Sequence, residues 1–131
     1  MIRETYCSFE VSKLLKEKGF YTPFCKSYYT SEVKSLTPLH TSIVIDKDDE
    51  TKILAPTHQM AMAWLREVHN IHIEIEAYPH KDGCFYWHYR IMEMVKNKNV
   101  FGYFRRTQDA GFNSYEETVE AALRYSLENL I

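Results

Sequence analysis

Several devices are scarce or missing in this chain of 131 residues. Its four glycines and four prolines are scattered, so no G-x-G-x-x-G, P-loop or G-x-S-x-G is formed and no glycine-rich loop is available to cradle a phosphate. The three cysteines, Cys7, Cys25 and Cys84, are odd in number and far apart, with no C-x-x-C. A closed disulfide framework and a thiolate zinc knuckle are therefore not written here, and a reducing compartment is the expected setting. No apolar run approaches the roughly 18 residues that a membrane span requires, and Met1 to Tyr6 lacks the apolar core of a signal peptide. The expectation is a cytoplasmic protein with no membrane partner.

What is present is ordinary in bulk and unusual in one respect. Apolar residues make up 45% and charged residues 26%, the balance of a globular domain, and the length suits one domain over 1–131. Aromatics are in excess: ten Tyr, seven Phe and two Trp supply large apolar area, and the phenols need partners or water. The net charge of −2 is unevenly laid out. Residues 1–80 carry 9 basic and 11 acidic groups, 81–106 carry 6 and 2, and 107–131 carry 1 and 5, so a basic middle precedes an acidic tail. Internal compensation explains this more simply than a polyanion-binding surface.

Periodicity predicts an α+β fold, with an antiparallel sheet built around a β-hairpin and packed by three helices. Val11, Leu14, Leu15 and Lys18 follow helical spacing over 8–18, with Ser8 as N-cap and Gly19 placed for a left-handed C-terminal cap. Thr57 opens a second helix over 58–69 with an apolar stripe of Ala61, Trp64, Leu65 and Val68, and Asn70 ends it. Ser114 starts a third over 115–130 with the capping box Ser-Tyr-Glu-Glu and the stripe Tyr115, Val119, Ala122, Leu123, Leu127 and Leu130. Ile71 to Tyr78 alternates strictly, Asp82-Gly83 marks a turn, and Cys84 to Met94 is rich in aromatic and β-branched residues, giving a hairpin over about 71–78 and 84–94. Between 21 and 55 only Cys25–Thr30 and Thr41–Ile45 look strand-like. The acidic stretch 46–50 reads as an exposed turn, since it lacks the central glycine of a calcium loop.

Pairing Tyr78 with Cys84 keeps the two faces of the hairpin consistent. Ile71, Ile73, Ile75 and Ala77 then share the core side with Ile91, Tyr89, Trp87 and Phe85. On the polar side His72 opposes Arg90, Glu74 opposes His88, and Glu76 opposes Tyr86. Imidazole and carboxylate within cross-strand reach are the materials of an acid/base or metal constellation, here His72, Glu74 and His88. A solvated sheet face with compensating charges is the simpler account, so no catalytic residue, metal or cofactor is expected, and the six residues His72, Glu74, Glu76, Tyr86, His88 and Arg90 stand as candidates for contacting a ligand or partner. A second candidate surface is the segment 96–106, where Lys96, Lys98, Arg105 and Arg106 could meet phosphates and Tyr103 and Phe104 could stack on bases of a single strand. The negative overall charge weighs against it.

Three stretches, Ala55-Pro56-Thr57, Ala61-x-x-Trp64-Leu65-Arg66-Glu67-x-His69-Asn70-Ile71-His72-Ile73 and Phe112-Asn113-Ser114-Tyr115-Glu116-Glu117-x-x-Glu120-Ala121-Ala122-Leu123, together resemble a family of small phage and prophage proteins of gut bacteria, the phage α/β/α sandwich domain. The resemblance implies helix–sheet–helix layering, a phage or prophage origin and action in the host cytosol; it implies no reaction. The expected function is that of a non-enzymatic accessory protein binding a host or phage protein or a small ligand. Single-stranded nucleic-acid binding through 96–106, and a small metal-dependent enzyme on the polar hairpin face, are the alternatives.

Overall fold

In the computed structural model, which describes residues 2–39, 43–94 and 111–131 and the strand at 104–106, the chain is α+β, with three helices and two antiparallel three-stranded sheets among the described residues. Its internal contacts gather into two units, Met1–Ala61 and Met62–Ile131. No helix among the described residues is long and apolar enough to cross a membrane.

In the first unit, helix α1 (Phe9–Glu17) begins where the Ser8 hydroxyl accepts from the Val11 N–H at 3.2 Å. It ends in a Schellman closure, with Gly19 at φ 93° and the N–H groups of Gly19 and Phe20 donating to the carbonyls of Lys16 and Leu15. Strand β1 (Ser27–Thr30) lies between β2 (Leu36–Pro38) and β3 (Lys52–Leu54). Tyr28 faces Thr37 on one side and Leu54 on the other. The strand expected over Cys25–Thr30 is thus present in its second part. That expected over Thr41–Ile45 is not: residues 43–45 form no strand, and residues 41 and 42 lie outside the described ones. Ile43 and Val44 are exposed while Ile45 is buried, so this apolar triplet has no sheet to alternate on.

The stretch 46–50 is a turn region held by its own acids: Asp46 Oδ1 accepts from the Asp48 N–H and Asp49 Oδ1 from the Thr51 N–H. Lys16 reaches from α1 to donate to the carbonyls of Asp49 and Lys52 at 2.6 and 2.8 Å. The core here is Tyr29, Ile53 and Ala55 with Phe9 against them, its ring meeting Tyr29 edge to face at 5.7 Å. The buried Tyr29 hydroxyl donates to the Cys7 carbonyl at 2.8 Å, satisfying the phenol that burial would otherwise strand.

Helix α2 (His58–His69) carries the boundary between the units. Thr57 caps it by accepting from the Met60 N–H, and Asn70, at φ 56°, turns the chain out of it. Ala61 and Leu65 are fully buried and Trp64 half-buried, but Val68 is 57% exposed and Met62 is buried instead, so the apolar stripe is rotated from the expected one.

In the second unit β4 (Ile71–Pro79), β5 (Phe85–Glu93) and β6 (Phe104–Arg106) lie in that order, and α3 (Tyr115–Asn129) packs on β4 and β5. Ser114 caps α3 by accepting from the Glu117 N–H. Val119, Ala122, Leu123 and Leu127 are fully buried as the stripe requires. Trp87 meets Tyr115 edge to face at 5.4 Å. Ile71, Ile73 and Ile91 are buried, yet Ala77 and Phe85, expected on the core side, are exposed, because the apolar face runs out toward the turn.

Candidate functional site on the polar face of the hairpin

The geometry of this face is decided at its turn. The Gly83 N–H donates to the His80 carbonyl, the His80 N–H to the Cys84 carbonyl, and Gly83 takes φ 84°. This is a type I turn closed by a glycine bulge, with Lys81, Asp82 and Gly83 as its three loop residues. Asp82 Oδ1 accepts from the Cys84 N–H and Oδ2 from the Tyr86 hydroxyl at 2.6 Å, which holds the Asp82 carboxyl below its usual range and raises the Tyr86 phenol.

The turn sets a register two residues away from the expected one. Tyr78 faces Tyr86 rather than Cys84, Glu76 faces His88 rather than Tyr86, Glu74 faces Arg90 rather than His88, and His72 faces Met92 rather than Arg90. On the apolar side Ile75 faces Tyr89 and Ala77 faces Trp87. A shift of two keeps every side chain on its expected face, so the polar and apolar sets survive while every pairing changes.

The new pairings give the face its electrostatics. Arg90 donates through Nε to Glu74 Oε2 at 3.1 Å, through Nη2 to the same oxygen, and through Nη2 to Glu76 Oε1 at 2.8 Å. Glu76 also accepts from the Tyr78 hydroxyl. The hydrogen bond from Arg90 is the first cause of a lowered Glu74 carboxyl, with the charges of Arg90 and His72 adding to it against a partial desolvation, and the same bond raises Arg90. Both carboxylates are thereby committed to one guanidinium. His72 Nε2 lies 3.6 Å from Glu74 Oε1, whereas His88 is on the rung of Glu76. The expected trio of His72, Glu74 and His88 is not drawn to one point.

His88 instead meets a residue that the sequence reading passed over. Its Nε2 is 2.9 Å from Nε2 of His80. The ring planes differ by 10° with centroids 5.1 Å apart, a separation larger than that of the nitrogens by roughly two ring radii, so the imidazoles meet end on rather than face to face. Tyr86 stands edge-on to His80 at 4.6 Å and Tyr78 to His88 at 5.5 Å. Behind the pair runs Gly111, whose added Cβ would lie 2.7 Å from the Trp87 carbonyl and 2.8 Å from His88 Cε1 and Nε2; the next residue, Phe112, exchanges two 2.8 Å backbone hydrogen bonds with Trp87. Burial lowers the His88 pKa, the charge of His80 lowers it further, and Glu76 opposes both. The available signal was parity alone: 80 and 88 are both even, hence on one face.

Of the second expected surface, Lys96, Lys98 and Tyr103 lie outside the described residues. The backbone of Phe104, Arg105 and Arg106 forms β6 and pairs with Met92, Ile91 and Arg90 in turn. In the first unit a cleft of about 230 Å³ opens among residues that include Tyr6, Phe24, Lys26, Thr57 and Met60, none of them among the expected site residues. Compared with protein-family models, curated proteins and solved structures, the chain matches none.

Proposed function

We propose that this chain is a non-enzymatic accessory protein of phage or prophage origin, acting in the host cytosol by binding a protein partner through the turn end of the β4–β5 hairpin. The observation that carries the reading is a pair of exposed aromatic side chains at the turn end, Tyr78 on the polar face and Phe85 on the apolar one. Phe85 is 67% and Tyr78 40% exposed at the end of a hairpin pinned by the Asp82 bonds and by the Arg90 bonds to Glu74 and Glu76. Aromatic side chains have few rotatable bonds, so they lose little entropy on binding and supply much area. The commitment of Glu74 and Glu76 to Arg90 suits a contact surface better than a general base, which needs a carboxylate able to take a proton. The phage association is supported by the residues of 55–73 and 112–123 quoted above.

The test is affinity capture from host lysate with the chain and with the double variant Tyr78→Ser/Phe85→Ser, both shown to be folded by circular dichroism. A specific protein captured by the former and reduced about tenfold or more with the latter is expected, the loss of two aromatic anchors at an interface. Equal capture by both, or no specific capture by either, overturns the reading. A thermal-shift panel of nucleotides and metabolites examines the small-ligand form of the same proposal.

A further inference from the structure

We propose that His80 and His88 together form a chelating site for a divalent transition-metal ion of the copper(II) or nickel(II) kind. The two Nε2 atoms face each other at 2.9 Å, His80 standing one residue past the end of β4 and His88 on β5. Imidazole binds metal in its neutral form through a ring-nitrogen lone pair, and a shared contact between two Nε2 atoms holds one proton at most in its line. A metal ion entering the pair displaces that proton and sits off the nitrogen–nitrogen line, whose midpoint is too close to both nitrogens for a metal bond. With metal–nitrogen bonds of about 2.0–2.1 Å, nitrogens 2.9 Å apart subtend an angle close to 90° at the ion. That is the angle of neighbouring positions in the tetragonal geometry of copper(II) and nickel(II), and it is tighter than the tetrahedral angle zinc prefers. The nitrogen separation matches such a pair of bonds, while the end-on rings must turn by about 45° at each nitrogen to aim their lone pairs at the ion. His80 is half-buried beside the turn, and His88 packs between Tyr78 and the Gly111 backbone. Water completes the coordination on the open side.

The surroundings favour this pair over the other imidazole on the face. His72 sits beside Glu74, whose carboxylate already accepts from Arg90, and it faces Met92 across the strand. The site is independent of the partner-binding reading, because metal is bound by the isolated chain and neither Tyr78 nor Phe85 supplies a ligand atom to it.

Calorimetric titration of the Cys84→Ser chain with copper(II) and nickel(II) at neutral pH, with copper electron paramagnetic resonance in parallel, tests the proposal while removing the exposed thiol as a competitor. One ion per chain with two-nitrogen hyperfine structure is expected. His80→Ala and His88→Ala should each weaken binding about tenfold or more, whereas His72→Ala and Phe85→Ser should leave it unchanged. Circular dichroism of each variant separates loss of a ligand from loss of fold, and His80→Ala, at a half-exposed position, is the variant least able to disturb it. Absence of binding by the parent chain, or binding by both His80→Ala and His88→Ala as tight as the parent's, overturns the site. Partner capture that fails while metal binding persists sinks only the preceding reading.

Discussion

Gly111 is the residue on which the candidate site rests most directly. Its φ of 84° is costly for a residue with a side chain, and a Cβ there would meet the Trp87 carbonyl at 2.7 Å and the His88 ring at 2.8 Å. Gly83 has the same φ of 84° with nothing within 4 Å of its added Cβ. The two positions therefore separate backbone strain from steric overlap. Gly83→Ala should cost about 1 kcal/mol, the strain alone, and Gly111→Ala about 2–4 kcal/mol, because a carbonyl and a ring must also move. Urea denaturation of both variants measures the difference, and equal costs would mean that the contact at Gly111 relaxes freely. Only the first of these roles, the turn at Gly83, is legible in the sequence. Glycine at 83 follows Asp82 and reads as a turn, but the approach of 111 to 88 is a long-range contact with no local pattern, and His80 looked like a loop residue until the turn placed it on the polar face.

At the scale of elements, what could be read was what local chemistry determines. α2 occupies the expected 58–69, and α1 and α3 differ from expectation only at their ends, because Ser8, Thr57, Ser114, Gly19 and Asn70 act on backbone groups within a turn of themselves. β2, β3 and β6 are each three residues long, too short to display a period, so no local pattern announces them. The hairpin was found with its faces correct and its register wrong by two, since parity fixes the faces and only the turn type fixes the pairing. That register makes Arg90 the centre of the face, and its contribution has a definite pH dependence. The folded-state pKa of Glu74 is lowered from 4.5, so the folded chain holds fewer protons there than the unfolded chain. The resulting stability is fully present above about 4.5 and is lost as pH falls through the lowered value. Arg90→Gln should lower the melting temperature at pH 7 and approach the parent chain's stability as pH falls through the lowered Glu74 value, where the protonated carboxyl no longer needs a cation. A gap that stays constant down to pH 3 would assign the loss to packing of the arginine stem instead.

For the whole molecule the question is whether its two contact units behave as one. No linker composition marks the boundary near Ala61, and a chain of 131 residues is expected to fold cooperatively. Residues 58–61 of α2 belong to the first unit and 62–69 to the second, so melting either unit removes part of a helix on which the other depends. The natural probes happen to be segregated. Cys7 and Cys25 are buried in Met1–Ala61, with burial pushing the Cys25 thiol up to about 12, while Trp64 and Trp87 both lie in Met62–Ile131. In the Cys84→Ser chain, thiol labelling then reports opening of the first unit and tryptophan fluorescence that of the second. The shared helix predicts coincident urea midpoints by the two probes. Labelling of Cys7 and Cys25 at lower urea than the fluorescence change would instead make the first unit a separate, weaker foldon, and α2 would have to fray at its first turn before the hairpin and α3 unfold.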